Sequence, residues 1–333
     1  MTAALVLLGY AVGAAWCVPA LLAPLTRHGI SVRAGLAAWL TAMASVLLSG
    51  TVAVLFSVRT AAADWPRLTS TLCRSVAGGA CTPEVYRSLF YQAGVAALAA
   101  VLAFASVLAL WRYGRRVQRS RRQTRAHAAA ARLVGRALAA GAGSGAVVGR
   151  QAEAVVLDDP RPAAYCVAGR PAAIVLTSGA LEVLDPPQLG AVLAHERAHL
   201  AHADHLLATL TQGLAAAFPG VPLYATGAAE VARLAEMSAD DTAARASGRP
   251  ALVAALLAIA TGVAISSTGI PGTGVPGVPG GALAAAAHAV PARVERLLCP
   301  PTPGRSAAFT AMLTLALALL AAAPLALALF APR

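Results

Sequence analysis

Four long apolar segments govern what this 333-residue chain can fold into, because few folds survive in lipid. They run approximately Ala3–Leu25, Ala34–Val58, Leu89–Trp111 and Ala307–Phe330. Crossing the hydrocarbon core takes about 20 residues of helix, and every backbone N–H and C=O there must be satisfied within the segment. Each segment is long enough, so the expected fold is an α-helical multi-pass membrane protein. The first segment resembles a signal peptide but lacks a basic leading region and is followed by further spans, so it reads as an anchor.

Charge sets the expected orientation. The net charge of +12 is carried entirely by Arg and is unevenly spread. Nine Arg lie between Arg112 and Arg136 with no acidic residue among them, directly after the third apolar segment. Arg27, His28 and Arg33 mark a short basic loop between the first and second. Positive loops stay on the cytoplasmic side. The cell membrane is therefore the expected location, with both termini and a loop over residues 59–88 outside and the region from Arg112 to Arg305 inside. Aromatic residues are not interleaved with the Arg run, which argues against a nucleic-acid partner and leaves the lipid bilayer as the partner of that charge.

The five Cys show no CxxC spacing and imply no cysteine metal site. Cys73 and Cys81 share the 59–88 loop and could form a disulfide in an oxidising compartment. Residues 206–218 and 251–265 are apolar but short, better suited to core or interfacial helices than to spans. The Gly/Pro-rich stretch 266–281 reads as a flexible segment.

Inside the expected cytoplasmic region, Ala154–Leu157, Ala164–Val167 and Ile174–Thr177 are strand candidates separated by turn residues. Asp185 is a good N-cap, and Pro186 opens a helix expected to run to about Leu207. That helix carries His195-Glu196-Arg197-Ala198-His199, the HExxH pattern of zinc peptidases. Residues four apart share a helix face, so both imidazoles can reach one ion. Glu196 is rotated about 100° away and can act as a general base.

A third ligand must come from elsewhere in the chain. Glu236 is the best candidate, with Asp240 one turn later, placed to orient a ligand His. Glu230 and His205 are rivals. In an unbroken helix His205 would lie about 15 Å beyond His195 along the axis, too far to share the ion. A set of three protein ligands leaves the fourth position of one Zn2+ per chain open, as catalysis requires and a structural site would not.

The stretches Ala163–Gly169, Ile174–Leu181 and Leu189–Leu200, followed by Asp204 and Glu236…Asp240, resemble membrane-integral gluzincins, the BlaR/MecR-type family above all, with HtpX-type proteases as relatives. The resemblance covers about residues 150–300, and the layout of three spans before and one after is similar too. It implies a cytoplasmic α+β zincin domain, mostly helix with a small sheet, and cleavage of a protein or peptide substrate. It also implies zinc on His195, His199 and Glu236, with Glu196 as the base. By the same resemblance His288 and Arg293 are candidates for stabilising the transition state. The expected organisation is spans over 1–111, a basic linker or helix over 112–149, the protease domain over 150–305 and a final span over 306–333. BlaR-type sensors carry an extracellular penicillin-binding domain after the last span. Here the chain ends three residues beyond it without an SxxK motif, so direct β-lactam sensing is not expected. A signalling scaffold with a vestigial zinc site and a general quality-control protease are the alternative functions.

Overall fold

The computed structural model describes residues 2–27, 31–76, 83–138, 152–168, 172–266, 290–300 and 303–330. It is mostly helical. Three long helices come first: α1 (Thr2–Thr26), α2 (Val32–Val76) and α3 (Pro83–Val134). Strands β1 (Arg136–Ala137), β2 (Ala152–Leu157), β3 (Ala164–Val167) and β4 (Ala172–Thr177) follow. Then come α4 (Ser178–Val183), α5 (Pro186–Ala201), α6 (Asp204–Ala217), α7 (Pro222–Ser247) and α8 (Arg249–Ser266). A helix α9 covers residues 290–298, and α10 (Pro303–Phe330) closes the chain.

Four helices contain stretches long and apolar enough to cross a membrane: Thr2–Thr26, Val32–Arg67, Leu89–Ala126 and Ala307–Leu327. Their outer flanks suit lipid. Phe90, Phe104, Val107 and Leu110 on α3 and Leu315, Leu319 and Leu325 on α10 are all largely exposed, a patch no water-facing helix would tolerate. The expected loop at 59–88 is instead largely helix, because α2 continues to Val76 through good helix formers such as Ala61-Ala62-Ala63. The basic stretch is likewise helical, as α3 continues to Val134. Cys81, His288 and residues 267–281 lie outside the described residues, and so does the expected Cys73–Cys81 pairing.

Parts of the spans form a common core with α7. Ala14, Val18 and Leu22 of α1 and Trp39 and Met43 of α2 pack against Leu223, Val231 and Leu234 of α7, with Leu313 of α10 beside them. Polar contacts fix the bundle: Tyr10 and Ser45 hydroxyls lie 2.7 Å apart, Ser45 donates to the Leu320 carbonyl at 2.7 Å, and Ser31 meets Thr310 at 2.7 Å.

The sheet has the order β1-β2-β4-β3. β2 and β4 are parallel, whereas β3 runs antiparallel to β4 and forms one edge. Alternation along β4 sends Ile174 and Leu176 onto Leu189, Val192 and Leu193 of α5, and Val175 to the opposite face with Val167. The three expected strands are present, two of them slightly longer, and β1 is an addition. At the end of β4, Gly179 has no room for a Cβ, which would collide with the Pro160 carbonyl, so the turn into α4 packs backbone on backbone.

α5 begins as the sequence indicated. Asp185 and Gln188 form a reciprocal capping box, with proline at the first position. It ends earlier than expected, at Ala201. Ala203 takes a left-handed conformation (φ 55°), and α6 leaves in a new direction. That conformation costs a non-glycine residue about 1 kcal/mol. A 2.7 Å contact between His199 and Asp204, made possible by the turn, offsets it.

Candidate metal centre

His195 and His199 project from α5 at Glu236 of α7. Ligating atoms of these three residues all lie within 4.8 Å of one another, the one such group among the described residues. His195 Nε2 is 3.0 Å from His199 Nε2 and 3.5 Å from Glu236 Oε2, and His199 Nε2 is 3.4 Å from Glu236 Oε1. Atoms bound to one zinc at 2.0–2.1 Å in a tetrahedron lie about 3.3 Å apart. The two imidazole nitrogens and the Glu236 carboxylate, which turns one oxygen to each ring, are thus close enough to share one ion.

Each ring is held from behind. Asp204 Oδ2 accepts from His199 Nδ1 at 2.7 Å, which leaves Nε2 as the nitrogen of that ring that faces the metal position. Asp240 Oδ1 lies 3.1 Å from His195 Nδ1, a close but bent ionic contact, since this buried nitrogen has no well-aligned acceptor. With the Nδ1 atoms turned to Asp204 and Asp240, both Nε2 atoms and the Glu236 carboxylate face one point. A cation there would replace the protons that otherwise pair the two rings with Glu236, and two imidazoles with one carboxylate are a donor set that fits zinc.

Arg293 of α9 completes the surround. Its Nε donates to Asp240 Oδ2 at 2.7 Å and its Nη2 to Asp240 Oδ1 at 2.6 Å, a bidentate fork. Its Nη1 is 3.1 Å from Glu236 Oε2. Arg293 is 7% exposed and Asp240 1%, so this pair is removed from water. The structure places Arg293 against Asp240 and Glu236, where it meets carboxylates rather than open solvent. A second fork, Arg296 to Asp241 at 2.7 and 2.8 Å, ties α9 to α7 one turn on.

Four carboxylates (Glu196, Asp204, Glu236 and Asp240) against one guanidinium make the site strongly attractive to positive charge. For His199, burial disfavours the charged ring, but Asp204 and then Glu236 outweigh it and raise the ring to about 10. Burial would push Glu236 up, yet His195, His199 and Arg293 hold its carboxyl well below the usual range. Asp240 is lowered in the same way, with Arg293 overcoming burial.

Glu196 is buried at 7% exposure and sits on the sheet side of α5. The Cys166 thiol of edge strand β3 is pushed up by burial and then by the charge of, and a hydrogen bond to, Glu196. The carboxylate thus stands between the metal-binding face and β3, the outermost strand of the sheet among the described residues. Neither rival ligand joins the group. Glu230 is committed to Arg233 at 2.7 Å, and His205 is exposed at the start of α6. The reason given for excluding His205 changes: the helix does turn, at Ala203, but the turn delivers Asp204 to His199 instead. The sequence marked Asp204 without its contact to His199, and the Cys166–Glu196 contact was missed. A helical projection puts Asp204 about 140° from His199, and only the left-handed residue closes that gap.

Residues 120–221 match peptidase family M48. Part of the chain is similar to proteins described as Protease HtpX homolog. The one from Acidiphilium cryptum (strain JF-5) is 42% identical over 64 residues, 19% of this chain and 22% of that protein. The one from Tropheryma whipplei (strain Twist) is 39% identical over 67 residues, 20% and 23% of the two chains. A third, from Ralstonia nicotianae, is 35% identical over 72 residues, 21% and 25%. The matched stretch thus spans a quarter or less of the length of these relatives. No solved structure gives a significant match. The family match takes in β2 to α6 with His195, Glu196 and His199, while Glu236, Asp240 and Arg293 lie beyond it and are joined to the site by geometry.

Proposed function

We propose that this chain is a multi-pass membrane zinc endopeptidase that cuts protein substrates at the cytoplasmic face. The observation that carries it is the convergence of His195, His199 and Glu236, whose ligand atoms lie within 4.8 Å of one another, with Glu196 on the adjoining helix face. The M48 match of residues 120–221 supports the same chemistry. A closed structural site would use a fourth protein ligand, and the three-ligand set here favours catalysis.

In this reading His195, His199 and Glu236 hold the zinc, and Asp240, Asp204 and Arg293 keep the ligands in place. Zinc, when bound, supplies a Lewis acid that acidifies water and polarises a carbonyl. Glu196 takes the proton as water attacks the scissile carbonyl, then passes it to the departing amine. The peptide adds to the free edge of β3 as an extra strand, which brings its backbone past Glu196. Arg293 is a positioning residue here, since its fork is taken up by Asp240. His288 remains a candidate for oxyanion stabilisation through its resemblance to HtpX-type relatives alone.

Treating the purified full-length protein with a strong chelator should reduce peptidase activity to background, and about one zinc per chain should restore it. Activity that survives complete metal removal would exclude this mechanism. Orientation is tested separately. Single cysteines introduced in α6 and near the end of α3 should be labelled by a membrane-impermeant thiol reagent only in inverted vesicles, against a background in which the native Cys are replaced. Labelling in right-side-out cells would turn the site outward.

Within this reading the substrate is a regulatory protein, as the BlaR/MecR-type resemblance implies. Comparing the proteomes of cells expressing wild type and Glu196→Gln tests it. One accumulating soluble regulator supports the proposal, and many accumulating membrane proteins would make the enzyme a quality-control protease.

A further inference from the structure

The end of α1 is tied to α7 by a compact polar knot. Arg233 Nη2 donates to the Thr26 carbonyl at 2.7 Å, and its Nη1 to the Arg27 carbonyl at 2.8 Å. Nη2 also donates to Glu230 Oε2 at 2.7 Å. The Thr26 hydroxyl lies 3.1 Å from that same Oε2 and accepts from Trp39 Nε1 of α2 at 3.2 Å. Thr26 and Trp39 are 2% and 0% exposed. The last carbonyls of a helix lack intrahelical partners, and its C-terminus favours a cation. Arg233 meets both needs for α1, and it does so three residues before Glu236.

We propose that Arg233 is a positioning residue for the third metal ligand, coupling zinc affinity to the α1–α2 hairpin; this rests on the reading of Glu236 as a ligand. The packing of α7 against the spans in the shared core is by apolar side chains, and the Arg293 and Arg296 forks tie it to α9. Apolar burial is non-directional, so on the side of the spans the guanidinium fork is a directional restraint on rotation of α7. At the radius of a helix surface, a 20° rotation of α7 would carry the Glu236 oxygens about 2 Å. A zinc site accepts ligand displacements of only about 0.2 Å. Arg233 lies about 60° from Glu236 and about 20° from Asp240 in helical projection, so fixing it fixes both carboxylates. Displacing the end of α1 would therefore be felt at the metal.

The test uses the full-length protein in lipid nanodiscs, with zinc affinity measured by competition against a chelator of known affinity. Loss of a residue that orients ligands typically weakens metal binding by about 10–100-fold. Arg233→Met should weaken zinc by at least about 10-fold in the folded protein. It should also diminish the visible absorption of the cobalt-substituted site, and Arg233→Lys should recover part of both. Glu230→Gln, which leaves the guanidinium in place, should show a smaller loss and serves if Arg233→Met fails to fold. Glu236→Ala is the reference. Wild-type zinc affinity and cobalt spectrum in Arg233→Met and Glu230→Gln, with Glu236→Ala impaired, would overturn the coupling and leave Arg233 as a packing residue. Unchanged affinity in Glu236→Ala would instead remove the reading beneath it.

Discussion

Glu196→Gln should abolish peptide cleavage while leaving zinc bound. The amide keeps the size of the carboxylate but cannot accept a proton from water. General-base catalysis by a positioned side chain contributes about 10²–10⁴-fold. A fall in kcat of about 10³-fold is therefore expected, with metal content near one per chain. Zinc should stay because the metal-binding atoms come from His195, His199 and Glu236, and Glu196 turns towards Cys166 on β3. The decisive pair of measurements is single-turnover cleavage and metal analysis on the same preparation. Retained cleavage would dismiss Glu196 as the base, and loss of zinc would make it a ligand.

Arg293→Met should destabilise the protein more than any surface change, by about 3–5 kcal/mol. The guanidinium is bidentate to Asp240, which is 1% exposed, and removing it leaves a buried carboxylate with only the bent His195 contact. Asp240→Asn on top of Arg293→Met removes the stranded charge and should recover part of the loss. Denaturant unfolding of the two single variants and the double variant measures the coupling between the residues. A single-variant cost below about 1 kcal/mol would mean that water reaches Asp240 after all.

The site was legible in the sequence wherever one helix sufficed to define it. His195 and His199 are four apart, Glu236 and Asp240 four apart, and helical periodicity alone puts each pair on one face. The N-cap at Asp185 and the strands around β4 could be read for the same local reason. Asp204 could not, because its contact with His199 depends on one left-handed alanine, a conformation that residue type does not announce. Arg293 is 53 residues beyond Asp240, and only tertiary packing brings them together. The resemblance to known families pointed to Arg293, but the identity of its partner came from the fold. The reach of α2 beyond its apolar stretch was missed, and that of α3 was left open between linker and helix, because hydropathy marks where a helix leaves lipid and does not mark where it stops.

That reach of α3 has a mechanical meaning. From Trp111 to Val134 it continues without proline, for about 35 Å at 1.5 Å per residue, and β1 of the catalytic sheet follows within two residues. Gly213 of α6 lies directly against the Tyr113 ring, which braces the shaft near its base. A shaft with no joint holds whatever it carries at one height and one attitude. On the proposed function, the bond that is cut would be chosen by its distance from the bilayer as much as by the residues around it, and the enzyme would measure its substrate before reading it.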